Sequence, residues 1–318
     1  MLPLPRDSTA LTPTTLSSIE ADSTRKAERI VERVSSPTTI YVAFAGSSYA
    51  QASAHLFHWI LRQLTEKTIY IGPVEAFLYH TLAYHDEPSL ILLFAEPGSE
   101  NIIARTADAA RITGTELLVV TQPLPDIIAE RVGRENLVEV ASPRPSIHYV
   151  LVAAKSAARL AERFSSIRVR VERLSNELSN ISSIYESLID RYSDVIPIIA
   201  EMIAKKERID LYASTTMLPP AYILAGYTNK ARVYPISSLP VHVTSKQLHS
   251  NVIALLTDIE ADILKEVKFK VSMYMPGNRH IVEFIVHTDP LTAPIYGSLV
   301  VEHAFDRAKQ ASTPLHTK

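Results

Sequence analysis

The sequence predicts an α/β fold of two doubly wound, parallel-sheet lobes joined by helices. Three observations predict it. Short apolar runs alternate with helically spaced segments from residue 38 to 142. The strand signal disappears over 146–207, where only helical spacing survives, and the alternation resumes from 208 onwards. Strands that read as continuous apolar runs belong to parallel sheets covered by helices on both faces. A chain of 318 residues has room for two such lobes.

The elements follow in order. After a polar, proline-bearing start, Leu16 to Val34 spaces its apolar residues as a helix. TTIYVAF (38–44) is a strand that runs into Ala45-Gly46-Ser47-Ser48, and Tyr49 to Leu64 is helical. KTIYIG (67–72) is a strand, Glu75 to Ala83 a helix, SLILLFA (89–95) a strand and Asn101 to Thr113 a helix. ELLVVTQ (116–122) and NLVEVAS (136–142) are two further strands around a short helix. Between them and the second lobe, Leu174, Leu178, Ile181, Tyr185, Leu188, Tyr192, Val195, Ile199 and Met202 step by fours and threes, a helical seam. Pro197 predicts a break just before it, with Ser193 or Asp194 capping a new helix.

The second lobe reads as a repeat of the first with five strands: 208–214, 231–237, 251–257, 269–275 and 280–286. Helices are predicted at Pro219–Thr228, Ile259–Val267 and Pro294–Gln310. The division this predicts is a tail and first helix (1–35), a first lobe (36–165), linking helices (166–207) and a second lobe with a C-terminal helix and tail (208–318).

Composition narrows the function. The formal net charge is −2 and the pI is near 6.6, so no field for nucleic acid is present. Without cysteine there is no disulfide framework, thiolate metal site or cysteine nucleophile. No apolar run reaches the roughly 20 residues of a membrane span, and the N-terminus lacks the pattern of a secretory signal. A cytoplasmic protein without a membrane partner is expected.

Ligands of open parallel sheets bind beyond the carboxyl ends of the strands, where helix N-termini present free amides. Gly46, Ser47, Ser48 and Tyr49 form such a strand-to-helix turn. It reads equally as a phosphate cradle and as a serine-capped turn. A second turn, Glu96-Pro97-Gly98-Ser99-Glu100, ends the third strand. Ser99 suits an N-cap there, and Glu100 falls in the first helical turn, where the dipole favours a carboxylate. Glu100 is therefore either a capping group or a catalytic acid or base. His55 and His58 share a helix face and His80 and His85 flank a helix end, but neither pair has a third ligand at metal spacing, so no metal is expected. His242, His249, His303 and His316 are scattered through the second lobe, and no cofactor motif accompanies them.

In order and spacing these segments resemble the sugar-isomerase (SIS) family, in particular the isomerase half of glutamine–fructose-6-phosphate aminotransferase. The resemblance rests on Gly46-Ser47-Ser48-Tyr49 after the first strand and Phe77-Leu78-Tyr79 after the second. It rests also on Gly98 and Gly114 bracketing the third helix, and on the closing stretch from His303-Ala304-Phe305 to Pro314-Leu315-His316-Thr317-Lys318. It implies two flavodoxin-like SIS lobes, a hexose or hexosamine phosphate ligand held by Gly46, Ser47, Ser48, Tyr49, Gly98 and Ser99, and a homodimer. Among acid–base groups it implies His242 as the ring-opening histidine and Lys318 as the terminal lysine, with Glu100 the available carboxylate. The chain also departs from the family. The phosphate-binding Ser-x-Ser is Ala95-Glu96-Pro97 here, the following threonine is Glu100, and the base of the second lobe falls on Gly226, with its partner lysine on Ile223. Two functions follow: a sugar-phosphate isomerase, deaminase or deglycase with a substituted base, and a non-catalytic phosphosugar sensor or assembly partner.

Overall fold

Every residue from Ser146 to Ala158 is buried, while Glu162, Arg163 and Phe164 at the end of the same helix are exposed. That helix, α6 (Pro145–Phe164), organises the first half of the chain. The computed structural model describes residues 10–35, 39–84, 88–228, 230–245, 248, 251–274 and 281–312. The chain divides into two compact units, Met1–Ser182 and Ser183–Lys318.

The first unit begins with α1 (Pro13–Val34). The Thr12 hydroxyl accepts from the Thr15 amide at 3.2 Å, and Pro13 occupies the first helical position, where its missing N–H costs nothing. Strands β1 (Thr39–Ala45), β2 (Thr68–Pro73), β3 (Ser89–Ala95), β4 (Glu116–Thr121) and β5 (Leu137–Glu139) alternate with α2 (Tyr49–Leu64), α3 (Val74–His80), α4 (Glu100–Thr113) and α5 (Asp126–Val132). They form one parallel sheet in the order β2-β1-β3-β4-β5. α1 and α2 pack on α6. Tyr41, Phe77, Ile91, Ile103 and Val119 are among the residues of an apolar cluster that includes side chains of α3, α4 and α5. In β1 and β3 nearly every residue is buried, which is why both read as unbroken apolar runs.

α7 (Arg168–Leu178), α8 (Ile181–Arg191) and α9 (Val195–Ala204) carry the predicted seam. Asp194 caps α9 through the Val195 amide, and Pro197 sits in the first turn, as its missing amide requires. Leu174, Leu178, Ile181, Tyr185, Leu188, Tyr192 and Ile199 are all buried by the chain itself. Val195 and Met202, the other two residues of the seam, are half-buried.

In the second unit, β6 (Ile209–Ala213), β7 (Ala231–Pro235), β8 (Asn251–Thr257) and β9 (Ile281–Val286) form a parallel sheet ordered β7-β6-β8-β9. This is the order of the first four strands of the other sheet, so the predicted repeat is real. It is accompanied by α10 (Leu218–Tyr227), α11 (Leu239–Thr244), α12 (Asp262–Tyr274) and α13 (Ala293–Ser312). Two corrections apply. Four strands, not five, are present among the described residues, and 269–274 of the predicted fourth strand is the second half of α12. Leu264 and Val267 are that helix's buried residues, while Phe269 and Met273 are 64% and 57% exposed. The alternation that suggested a strand lies on a solvent-facing surface, and in so short an apolar run periodicity does not separate helix from strand.

Candidate anion site

Parallel pairing sets Ala45 beside Ala95, so the turns leaving β1 and β3 are adjacent. The Glu96 amide donates to the Ala45 carbonyl at 2.8 Å, and the Ser99 hydroxyl donates to the same carbonyl at 3.3 Å. Gly46 has φ +126°, in the region that favours glycine, and opens the backbone ahead of α2. The Ser48 side chain makes no capping bond, which leaves the first amides of α2 to another partner.

That partner is Glu96. Its Oε1 accepts from the Ser48 amide at 2.9 Å and from the Ala50 amide at 3.0 Å. The carboxylate lies against Gly46. Burial raises its pKa above the ordinary glutamate value, against the opposing pull of the Ala50, Ser48 and Ser47 amides. The walls are aromatic. The Tyr49 hydroxyl accepts from the Gln122 amide at 2.9 Å, and its ring meets Tyr149 edge-on at 4.9 Å. The Tyr149 hydroxyl donates to the Ala95 carbonyl at 2.8 Å. Burial, followed by the nearby Glu96 charge, pushes the Tyr49 phenol up. Burial first, with Tyr49 and Glu96 adding to it, does the same for Tyr149. Both phenols are neutral at physiological pH, so neither adds charge to the site.

Of the residues singled out in the sequence, Gly46, Ser47, Ser48, Tyr49, Gly98 and Ser99 come together here. Gly98 has φ +90° and its amide donates to Glu100 Oε1 at 3.1 Å, so Glu100 closes its own turn at the head of α4. The carboxylate in the cradle is that of Glu96, and sequence reasoning missed this role.

His242 lies in the other unit, on α11, with Nδ1 2.6 Å from the Tyr212 hydroxyl and its ring edge-on to Tyr234. Gly226 is exposed near the end of α10 and Ile223 is buried in it. Lys318, His85, His249 and His316 lie outside the described residues. The turn after β6 and the end of β8 repeat the theme in the second unit. Glu260 Oε2 accepts from the amide and hydroxyl of Thr257, at 2.9 and 2.7 Å, and its Oε1 accepts from Thr216 Oγ1 at 3.5 Å. Beside it, His287 Nδ1 is 2.5 Å from Asp258 Oδ1 and the His287 amide donates to the Tyr192 hydroxyl at 3.0 Å. This pair had no motif around it to mark it in the sequence.

Two parallel sheets of this order, with helices between successive strands, make an α/β fold of two doubly wound lobes. The chain is similar over nearly its whole length to a Bacillus subtilis protein classed as a phosphosugar isomerase, at 13% identity and a TM-score of 0.68, covering 95% of this chain and 97% of that one. The C-terminal domain of glucosamine-fructose-6-phosphate aminotransferase from Francisella tularensis matches at 15% identity and 0.62, covering 95% and 93%. Glucosamine-6-phosphate deaminase from Thermotoga maritima matches at 12% and 0.58, covering 96% and 98%. At such identities the likeness shows the fold alone. No protein-family model matches the sequence, nor does any curated protein. Among the described residues, no helix is long and apolar enough to cross a membrane.

Proposed function

We propose that this protein binds a hexose or hexosamine phosphate in its first unit and acts as a sensor or assembly partner rather than as an isomerase. One observation carries the reading: the α2 amides of Ser48 and Ala50 converge on an anion, the carboxylate of Glu96. A cradle built for an anion supports phosphate recognition. Three solved proteins of the same fold named for phosphosugars or their aminotransferase support the ligand class.

The chemistry argues for binding over turnover. Aldose–ketose isomerisation needs one base to carry a proton between adjacent carbons and an acid at the carbonyl oxygen. Where the SIS resemblance puts the base, Gly226 has no side chain to take a proton. Glu100 is spent on its own turn.

A thermal-shift screen tests the reading. Glucosamine 6-phosphate, fructose 6-phosphate and glucose 6-phosphate are compared with the free sugars. A bound phosphosugar at 100 times its Kd adds about 2.7 kcal/mol of stability, and the same samples give no isomerase or deaminase turnover. No shift with any phosphate, or turnover with one of them, overturns the proposal.

A further inference from the structure

We infer that Glu96 is a resident anion in the phosphate position of the cradle, that a ligand phosphate must displace it, and that this side chain sets the affinity and anion selectivity of the site. The inference rests on the proposed binding function.

The geometry leads to it directly. Both amide bonds end on a single oxygen, Oε1, so the carboxylate sits on the axis of the α2 amides as a phosphate oxygen would. The space it fills exists because residue 46 is glycine: a β-carbon there would come within 2.5 Å of Glu96 Cδ and 2.8 Å of Oε2. Carboxylate and phosphate cannot share these donors, since two like charges at contact repel strongly in a cleft. Nor do the neighbouring groups that feel the Glu96 charge offer compensation, because they are the two phenols of Tyr49 and Tyr149.

Displacement is feasible where Glu96 stands. The residue follows the last position of β3 and precedes Pro97-Gly98, so its side chain leaves from a turn and can rotate without breaking the sheet. A phosphate monoester brings more charge and three acceptor oxygens to the donors that Glu96 serves with one. Carboxylates bring no such advantage, and sulfonates match the oxygens without the second charge. The wild-type site therefore discriminates for phosphate dianions at a cost in absolute affinity.

Calorimetric titration of the full chain with glucosamine 6-phosphate, with glucosamine as the uncharged control, tests this. Glu96→Gln keeps the shape and an oxygen acceptor but removes the charge, and Glu96→Ser empties the position. Both variants are expected to bind the phosphate at least tenfold more tightly than wild type, with glucosamine unchanged. Equal phosphate affinity in wild type and Glu96→Gln overturns the resident-anion inference and leaves the binding function standing. Absence of binding in wild type and both variants overturns the binding function and the inference with it. Should Glu96→Ser fail to fold, Glu96→Gln alone decides.

Discussion

A β-carbon on Gly46 would lie 2.5 Å from Cδ of Glu96, two residues that parallel pairing of β1 with β3 brings face to face. Gly46→Ala is therefore penalised twice, by this contact and by its φ of +126°. Together these are expected to cost about 3 kcal/mol in chemical denaturation. In a Glu96→Ser background the contact disappears and only the backbone penalty remains, so the cost falls to about 1–2 kcal/mol. A double-mutant cycle that shows strict additivity contradicts this packing.

Glu96 also makes stability depend on pH in a predictable direction. Its folded pKa is raised by burial, so the folded state holds a proton that the unfolded chain releases as pH rises past the ordinary glutamate value of about 4.3. Stability is lost over that rise and is not recovered above the folded pKa. Glu96→Gln has no proton to release. Its melting temperature relative to wild type is expected to be highest at neutral pH, and the gap is expected to close as pH falls below about 4. A gap that widens with acid contradicts the assignment.

Glu100 is the contrasting carboxylate. It accepts from the Gly98 amide in its own turn, so Glu100→Thr removes a local bond and a favourable interaction with the α4 dipole. The expected loss is about 0.5–1 kcal/mol. Phosphosugar affinity in the same variant is expected to match wild type, and a tenfold change in titration contradicts this placement.

How far the sequence reaches is clear from this pair of acids. Strands β1 and β3 are legible because burial on both faces leaves no polar position to interrupt them. The end of α12 is misread because its exposed Phe269 and Met273 imitate a strand's alternation. Gly46 to Tyr49 is legible as a cradle because its parts are consecutive. Glu96 is not legible as its occupant, because the amides it accepts from are 48 and 46 residues earlier in the chain. Only the register of β1 on β3 joins them. Sequence adjacency to Gly98 and Ser99 points instead to Glu100.

Acid should destabilise the first unit through His148. The residue is 2% exposed on α6, and burial lowers its pKa to about 4, although Asp22 Oδ2 stands 3.0 Å from Nε2 and opposes the shift. The folded state keeps this ring neutral while the unfolded chain protonates below about 6.5. Stability is present in full above that value and is lost between pH 6.5 and about 4, by an amount on the order of 3 kcal/mol. His148→Gln is expected to flatten the decline in denaturation midpoints over this range. An unchanged slope in the variant contradicts the assignment.

The burial of α6 bears on how the chain is made. α1 meets this helix through contacts such as Lys155 Nζ to Thr24 Oγ1 at 2.9 Å and Arg159 Nη1 to Glu28 Oε1 at 2.6 Å, each spanning 131 residues. During synthesis α1 lacks its main packing partner until residue 164 has left the ribosome. Up to that moment the faces of α1 and α2 that meet α6 stand open. Closing so long a loop slows the final step, since its entropy must be met before the contacts form. Nascent chains stalled before α6 are the species most exposed to aggregation and to chaperone capture, while those stalled after residue 182 carry a first unit able to close on itself.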